Sequence, residues 1–375
     1  MRNCKKSQQL FICGFIVLLS TVFSALRGYV GTDTYSYHQI YLDFNVEDRV
    51  AMYTRVEPLF ALIVDVSNYL GLSSFVFVSL IAVFQGVLLW RVIRNLQRPA
   101  EFLALYMAVF YLNSHFNILR QGISVLFMLS AFSFYLVVRE ANKAGISSRA
   151  VFDVGTRKEK EYSRPYSPAK STLKFYLDSF AALGFHYSSL LFTLPMFFAA
   201  NRGFFSKLFL VVFSIFFAVA CYFVFYDNAT IVWKLTNYFN VISEPSKANA
   251  GRTLYFVLVI YLMLFVTVLS RGNYKFLTVL FVFWFLLRVL THYNQIFGRI
   301  EIYSSIFFVF YISQVELSGV RRQIRGYLCA FLVVFWGCVR LYSYYNESPF
   351  VYDLYGELIL IHSPFTPYKF FWEED

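Results

Sequence analysis

The chain of 375 residues contains little charge and little cysteine. Only 15% of its residues are charged, against about 25% in soluble domains. Together with the high apolar content, this scarcity excludes an ordinary soluble enzyme and a disordered chain. The five cysteines form no CxxC pair, and most of them lie in or beside apolar segments. We therefore expect them to be small buried hydrophobes rather than a disulfide framework or metal ligands.

Several motifs of soluble catalysis are also missing from the sequence. It contains no Walker A motif, no GxGxxG after a strand, no HExxH and no GxSxG. ATP-driven transport, dinucleotide chemistry and the hydrolase chemistry of those motifs therefore lack support. No histidines or cysteines have metal-ligand spacing, so we expect no metal site, no cofactor and a metal-independent reaction.

Apolar residues, by contrast, are abundant and continuous. They make up 58% of the chain, and the mean hydropathy is +0.56. Long apolar runs occur at 10–26, 74–90, 102–113, 117–138, 173–184, 187–200, 207–226, 252–269, 276–290, 302–315 and 326–341. They predict an all-α polytopic integral membrane protein, a single membrane domain over 1–375, with about 11 crossings, some short or re-entrant. The shorter segment 58–70, which contains Asp65, predicts an interfacial helix.

The net charge of +11 reflects topology rather than nucleic-acid binding. With the N-terminus in the cytoplasm, 22 of the 33 Lys and Arg residues fall in cytoplasmic pieces. Those pieces are 1–9, 91–101, 139–174, 201–207, 271–275 and 316–325. This bias is the positive-inside rule. It predicts a first outer loop at 27–57, a polar cytoplasmic loop at 139–174 and an outer C-terminal tail at 342–375. The N-terminal run, although it has the form of a signal peptide, is interpreted as a retained first helix.

A few basic residues lie where this rule does not place them. The four hardest to explain are Arg27, Arg120, Arg288 and Arg299. A charge within the hydrocarbon costs at least about 2.5–3.5 kcal/mol, so it requires a partner or a water-filled cavity. Structural alternatives stay open, among them a surface pair of Arg27 with Asp33 and an Arg120 bonded to carbonyls at a helix break.

Polar and aromatic residues accompany these arginines. His115, Asn117 and Gln121 flank Arg120, and His186 lies between two short apolar runs. Tyr37 follows the Arg27 segment, and Tyr303 lies four residues after Arg299, on the same helix face. Together they predict a basic cavity with an aromatic rim on the outer face. Arginine presents a planar set of donors that matches phosphate, and tyrosine suits sugars, although interfacial belting also explains outer tyrosines.

The order of these motifs resembles a known family. The segments that carry the resemblance are Arg27–Tyr37 with Gly31 and Asp33, Val56–Phe60, Asn117–Gln121, Phe185–Leu190 and Gly298–Tyr303. In this order they resemble the EpsG-like branch of the Wzy-type polysaccharide polymerases. The resemblance covers residues of about 20–310, whereas the loop 139–174 and the tail from 342 look specific to this chain.

The resemblance implies an enzyme of the bacterial inner membrane. It would polymerise undecaprenyl-pyrophosphate-linked oligosaccharides at the periplasmic or outer face, beside a flippase and possible chain-length regulator, for O-antigen, capsule or exopolysaccharide. On this hypothesis Arg120, Arg299 and Arg27 stabilise the pyrophosphate leaving group, and His186 or Asp33 is the general base. The further substrate-binding residues expected are Gln121, Arg288, His115, Asn117, Tyr37 and Tyr303. A lipid-linked-sugar glycosyltransferase, a ligase and a flippase or transporter remain alternatives.

Overall fold

The structure is a computed structural model, and it describes part of the chain. The described residues are 2–28, 33–46, 52–53, 56–143, 168–189, 193, 302–303, 306–307, 309–310, 312–314, 326–327, 329–338, 350–352 and 358–360. Arg288 and Arg299 lie outside them, as do the spans predicted between 194 and 301 and the middle of the polar loop, 144–167. The side chain of Asn117 is also not described.

The described part of the chain is mainly helical, which is consistent with the predicted all-α class. The helices are α1 (Arg2–Ala25), α2 (Thr34–Val46), α3 (Pro58–Tyr69), α4 (Ser74–Ile93), α5 (Pro99–Tyr106), a π-helix (Met107–Asn117), α6 (Leu119–Lys143), α7 (Pro168–Phe185) and a 3-10 turn (Tyr187–Ser189). An apolar helix covers Cys329–Cys338. Two short antiparallel strands, β1 (Phe350–Tyr352) and β2 (Leu358–Leu360), pair Phe350 with Leu360 in the predicted tail. The sequence pattern did not predict these strands.

Two of the helices are long and apolar enough to cross a membrane. They cover Lys6–Ala25 and Ser74–Ile93, with 20 residues each, or about 30 Å at the helical rise. Helix α3 has 12 residues and is too short to span. It matches the helix predicted at 58–70, because Pro58 starts it and Gly71, with a φ of 68°, follows its end. The total number of crossings stays a prediction.

Helices α1 and α4 pack antiparallel and at close range. Gly86 of α4 lies against Thr21, and a Cβ at that glycine would overlap the threonine side chain. Further along, Trp90 approaches Gly14, and in the other direction the hydroxyl of Ser79 donates to the carbonyl of Ala25 at 2.5 Å. Glycine at 86 therefore permits the close contact of the two long apolar helices.

The beginning of α6 lies beside the middle of α4. The side-chain amide of Gln85 donates to the carbonyl oxygen of Leu119 at 3.1 Å, in a buried position. Because the neighbouring Gly86 contacts Thr21, the start of α6 is level with a point about one helical turn before the end of α1. Helices α6 and α7 pack together, and Ser124 of α6 donates to the carbonyl of Ala182 at 2.7 Å. The chain segments around residues 120 and 186 are thereby brought to the same level.

Candidate functional site

A single buried carboxylate joins two of the residues that the sequence singled out. Glu57 accepts a hydrogen bond from Nη1 of Arg120 at 2.6 Å through Oε2. Its other oxygen, Oε1, lies 2.6 Å from Nδ1 of His186. The three residues, which we call the Glu57 cluster, come from three separate segments: the residue before α3, the first turn of α6 and the residue after α7. The geometry thus places a cation and an imidazole on the two oxygens of one carboxylate.

Local sequence explains how Glu57 reaches this position. Its backbone is extended, with φ of −61° and ψ of 140°, as expected for a residue that precedes a proline. Gly184 near the end of α7 has no side chain, and a Cβ there would overlap Leu59 of α3. The lack of a side chain at Gly184 lets α3 approach α7 closely, and this approach brings Glu57 to His186.

Electrostatics keep Glu57 ionised. Burial by itself raises the pKa of this carboxyl, but the charge of Arg120 and the hydrogen bond with His186 outweigh burial and lower the pKa to about 2. At neutral pH the carboxylate therefore only accepts hydrogen bonds. It follows that Nδ1 of His186 donates to Glu57, and that Nε2 is the ring nitrogen left for proton transfer.

Aromatic rings surround the Glu57 cluster. The guanidinium carbon of Arg120 lies 5.8 Å from the ring centroid of Tyr37 and 5.6 Å from that of Phe60, within the range of a cation–π contact. The ring of His186 lies 6.4 Å from that of Tyr303. The hydroxyl of Tyr303 donates to Ser124 at 3.1 Å. Four of the predicted site residues, Tyr37, Arg120, His186 and Tyr303, are thus neighbours in the structure.

Arg27 belongs to a neighbouring group rather than to an exposed surface. It is 1% exposed, and its guanidinium carbon lies 4.6 Å from the ring centroid of Phe116. His115 is also buried, with Nδ1 3.0 Å from the hydroxyl of Tyr106. The sequence predicted Arg27 at the outer membrane surface and His115 at or below it, and this placement stays a prediction. Within the protein, aromatic rings cover both residues, and the π-helix packs Phe116 against Phe23 of α1.

Helix α2 connects the Glu57 cluster with the buried surroundings of Arg27. Tyr37 faces Arg120, whereas the next residue, His38, lies near Arg27. Burial first, and then the positive charge of Arg27, lower the pKa of His38 to about 3. Asp33 precedes the helix, and its carbonyl accepts from the backbone N–H of Tyr37 at 3.2 Å. Asp33 thus starts the helix that contacts both groups.

The π-helix leads directly into the Glu57 cluster. It ends at Asn117, three residues before Arg120, and wide helical turns of this kind are frequent at functional sites. The sequence left open that Arg120 bonds only backbone carbonyls at a helix break. The structure pairs it with a carboxylate instead. The adjacent Gln121 is buried.

Glu57 is the residue that the sequence pattern did not select. It stands in the segment Val56–Phe60, which carried part of the family resemblance, but we predicted no role for it. The available signal was a glutamate directly before a proline-initiated helix too short to span the membrane. Within the described ranges, no three His, Cys, Asp or Glu side chains come together as a possible metal site.

The fold and the site indicate a membrane protein of apolar helices with an Arg–Glu–His group, built on a buried carboxylate, near the end of the first helix. The chain belongs to the EpsG family, whose model matches residues 10–145 and 162–370. The resemblance stated from the motifs is therefore confirmed. The match leaves out residues 146–161 of the polar loop but includes most of the tail, so the expectation that the tail from 342 is specific to this chain was wrong. Neither the curated proteins nor the solved structures include a match to this chain.

Proposed function

We propose that this protein is a membrane glycosyltransferase that polymerises oligosaccharide repeat units linked to undecaprenyl pyrophosphate. The observation that carries the proposal is the Glu57 cluster, in which one carboxylate holds a candidate base and a candidate cation side by side. Membership of the EpsG family supports polysaccharide biosynthesis. The reaction needs both groups, since a proton must leave the acceptor and negative charge must be stabilised on the leaving group.

The reaction is a direct displacement at the anomeric carbon of the growing glycan. The acceptor hydroxyl oxygen of the incoming unit forms a bond to that carbon, while the bond from the carbon to the diphosphate oxygen breaks. The proton moves from the hydroxyl to Nε2 of His186, and the electron pair leaves with the diphosphate. Undecaprenyl pyrophosphate is released, and the extended glycan stays on the lipid of the acceptor. The step requires no metal ion.

Arg120 is the residue that we assign to the leaving group. Arg120 donates to Glu57 through Nη1, and the side chain of Arg120 is 27% exposed. Other N–H groups of this guanidinium can therefore donate to a diphosphate. Tyr37 and Tyr303 are buried beside Arg120 and His186, so we assign them the support of these two side chains rather than contact with a sugar. We keep Arg288, Arg299 and Asn117 as substrate-binding residues. The burial of Arg27, His115 and Gln121 favours a supporting role for them, and Asp33 becomes a sugar ligand rather than the base.

We further propose an inner-membrane location with the N-terminus in the cytoplasm and the C-terminus outside. The basic bias of the loops supports this orientation, and the antiparallel pair α1 and α4 is consistent with it. The chain would then cross about 11 times, and the Glu57 cluster would face the periplasmic or outer side. A flippase that delivers the lipid-linked units and a regulator of chain length are the expected partners.

Glycan length in a deletion strain tests the proposal. Deletion should leave a single repeat unit in place of long polymer, and Arg120→Ala should do the same because the leaving-group charge loses its partner. Arg94→Ala is the matched control, since this exposed arginine ends α4 away from the cluster. Full-length polymer from Arg120→Ala at normal protein level would contradict the proposal. Loss of all attached glycan, including the single repeat, would indicate a ligase.

A further inference from the structure

Glu57 is shared between two groups that the proposed reaction uses separately. Arg120 approaches it from α6 at 2.6 Å, and His186 approaches it from the end of α7, also at 2.6 Å. Each contact takes a different carboxylate oxygen. The side chain of Glu57 is 7% exposed, so little room remains for other partners. Any change in its contact with one group therefore alters its contact with the other.

The diphosphate of the substrate carries the same charge sign as Glu57 and needs the same guanidinium. A second anion at Arg120 weakens the contact of that cation with Glu57, because both anions share one positive charge. The negative charge of Glu57 then acts more strongly on its second partner, His186. A nearby negative charge favours the protonated imidazole that forms when the acceptor gives up its proton.

We propose that Glu57 is a positioning residue that couples the two groups: the diphosphate leaving group competes with its carboxylate for Arg120, and this competition strengthens His186 as the base. The inference rests on the proposed function. It explains why a buried carboxylate stands between a base and a cation that both face a negatively charged substrate. Proton removal is then favoured only when the leaving group is in place.

Binding of inorganic pyrophosphate to the full-length protein in detergent tests the competition. The expected result is several-fold tighter binding to Glu57→Gln than to wild type, because the repelling carboxylate is gone while Arg120 remains. Arg120→Ala should lose the binding. Unchanged or weaker binding to Glu57→Gln would overturn the proposal. A purely structural role for Glu57 predicts weaker binding together with a lower melting temperature.

Glycan length in the deletion strain tests the coupling to His186. Glu57→Gln should yield short glycan even though it binds pyrophosphate more tightly, and Glu57→Asp should restore part of the length because it returns the charge. Asp65→Asn is the matched control, since this carboxylate of α3 contacts Tyr53 at 3.3 Å and lies outside the cluster. Normal length in Glu57→Gln, when Arg120→Ala yields single repeats, would overturn this inference alone. Normal length in both would overturn the proposed function.

Discussion

Two arginines, each paired with a buried carboxylate, lie at different levels of the same helical bundle. In the Glu57 cluster, Arg120 contacts a carboxylate that is 7% exposed. In a second group, Arg91 of α4 contacts both oxygens of Asp178 in α7, at 3.0 and 2.8 Å. That carboxylate is 5% exposed. In burial and distance the two pairs are therefore nearly equivalent.

The two pairs differ in their third partner. Ser130 of α6 donates to Asp178 at 2.8 Å, so the second group, the Asp178 cluster, joins α4, α6 and α7 through a hydroxyl. The same place in the Glu57 cluster is held by the imidazole of His186, a side chain that can accept or donate a proton in catalysis. An arginine paired with a buried carboxylate is therefore not sufficient to indicate catalysis. What distinguishes the Glu57 cluster is the imidazole, with tyrosines around it.

The largest expected difference between the clusters is in the glycan length that remains when the arginine of each cluster is replaced by alanine. Arg91→Ala leaves Asp178 buried without its cation, which costs on the order of 3–5 kcal/mol, so we expect a low level of folded protein. The protein that remains should make polymer of normal length. Arg120→Ala leaves Glu57 without its cation in the same way, so we expect a comparable loss of folded protein, but the protein that remains should make short glycan. Immunoblots and glycan gels on the same membranes measure both quantities, and equal glycan length from the two variants would remove the distinction.

The contact of α3 with α7 provides a more local test of the Glu57 cluster. Gly184→Ala should push Leu59 away and move Glu57 from His186, at a cost of about 1–3 kcal/mol for overpacking. Glycan length should fall. Leu59→Ala in the same chain should restore it, because the overlap is relieved. If the double variant is as defective as Gly184→Ala, the close approach of these helices does not position the cluster.

The smallest expected effect is a dependence of stability on acid pH. The pKa of Glu57 is lowered from 4.5 to about 2, so its ion pair contributes stability that is fully present above pH 4.5 and is lost as the pH falls toward 2. The melting temperature of wild type should therefore fall over this interval, and that of Glu57→Gln should fall less. Parallel curves for the two proteins would show that Glu57 is not the group that titrates.

The sequence predicted the helical class, the helix at 58–70 and four of the residues around the cluster. These predictions depend on local patterns, such as apolar run length or a proline at a helix start. Glu57 was missed because its partners lie 63 and 129 positions away along the chain, and only the packing of α3, α6 and α7 brings them together. The burial of Arg27 was missed for the same reason, since the ring that covers it comes from the π-helix.

The most direct measurement of the central claim is glycan length for His186→Ala beside Ser130→Ala, with both proteins expressed at wild-type level in the deletion strain. Each substitution removes the third partner of one buried ion pair. The account predicts single repeats from His186→Ala and a normal ladder of chain lengths from Ser130→Ala. A normal ladder from His186→Ala would contradict it.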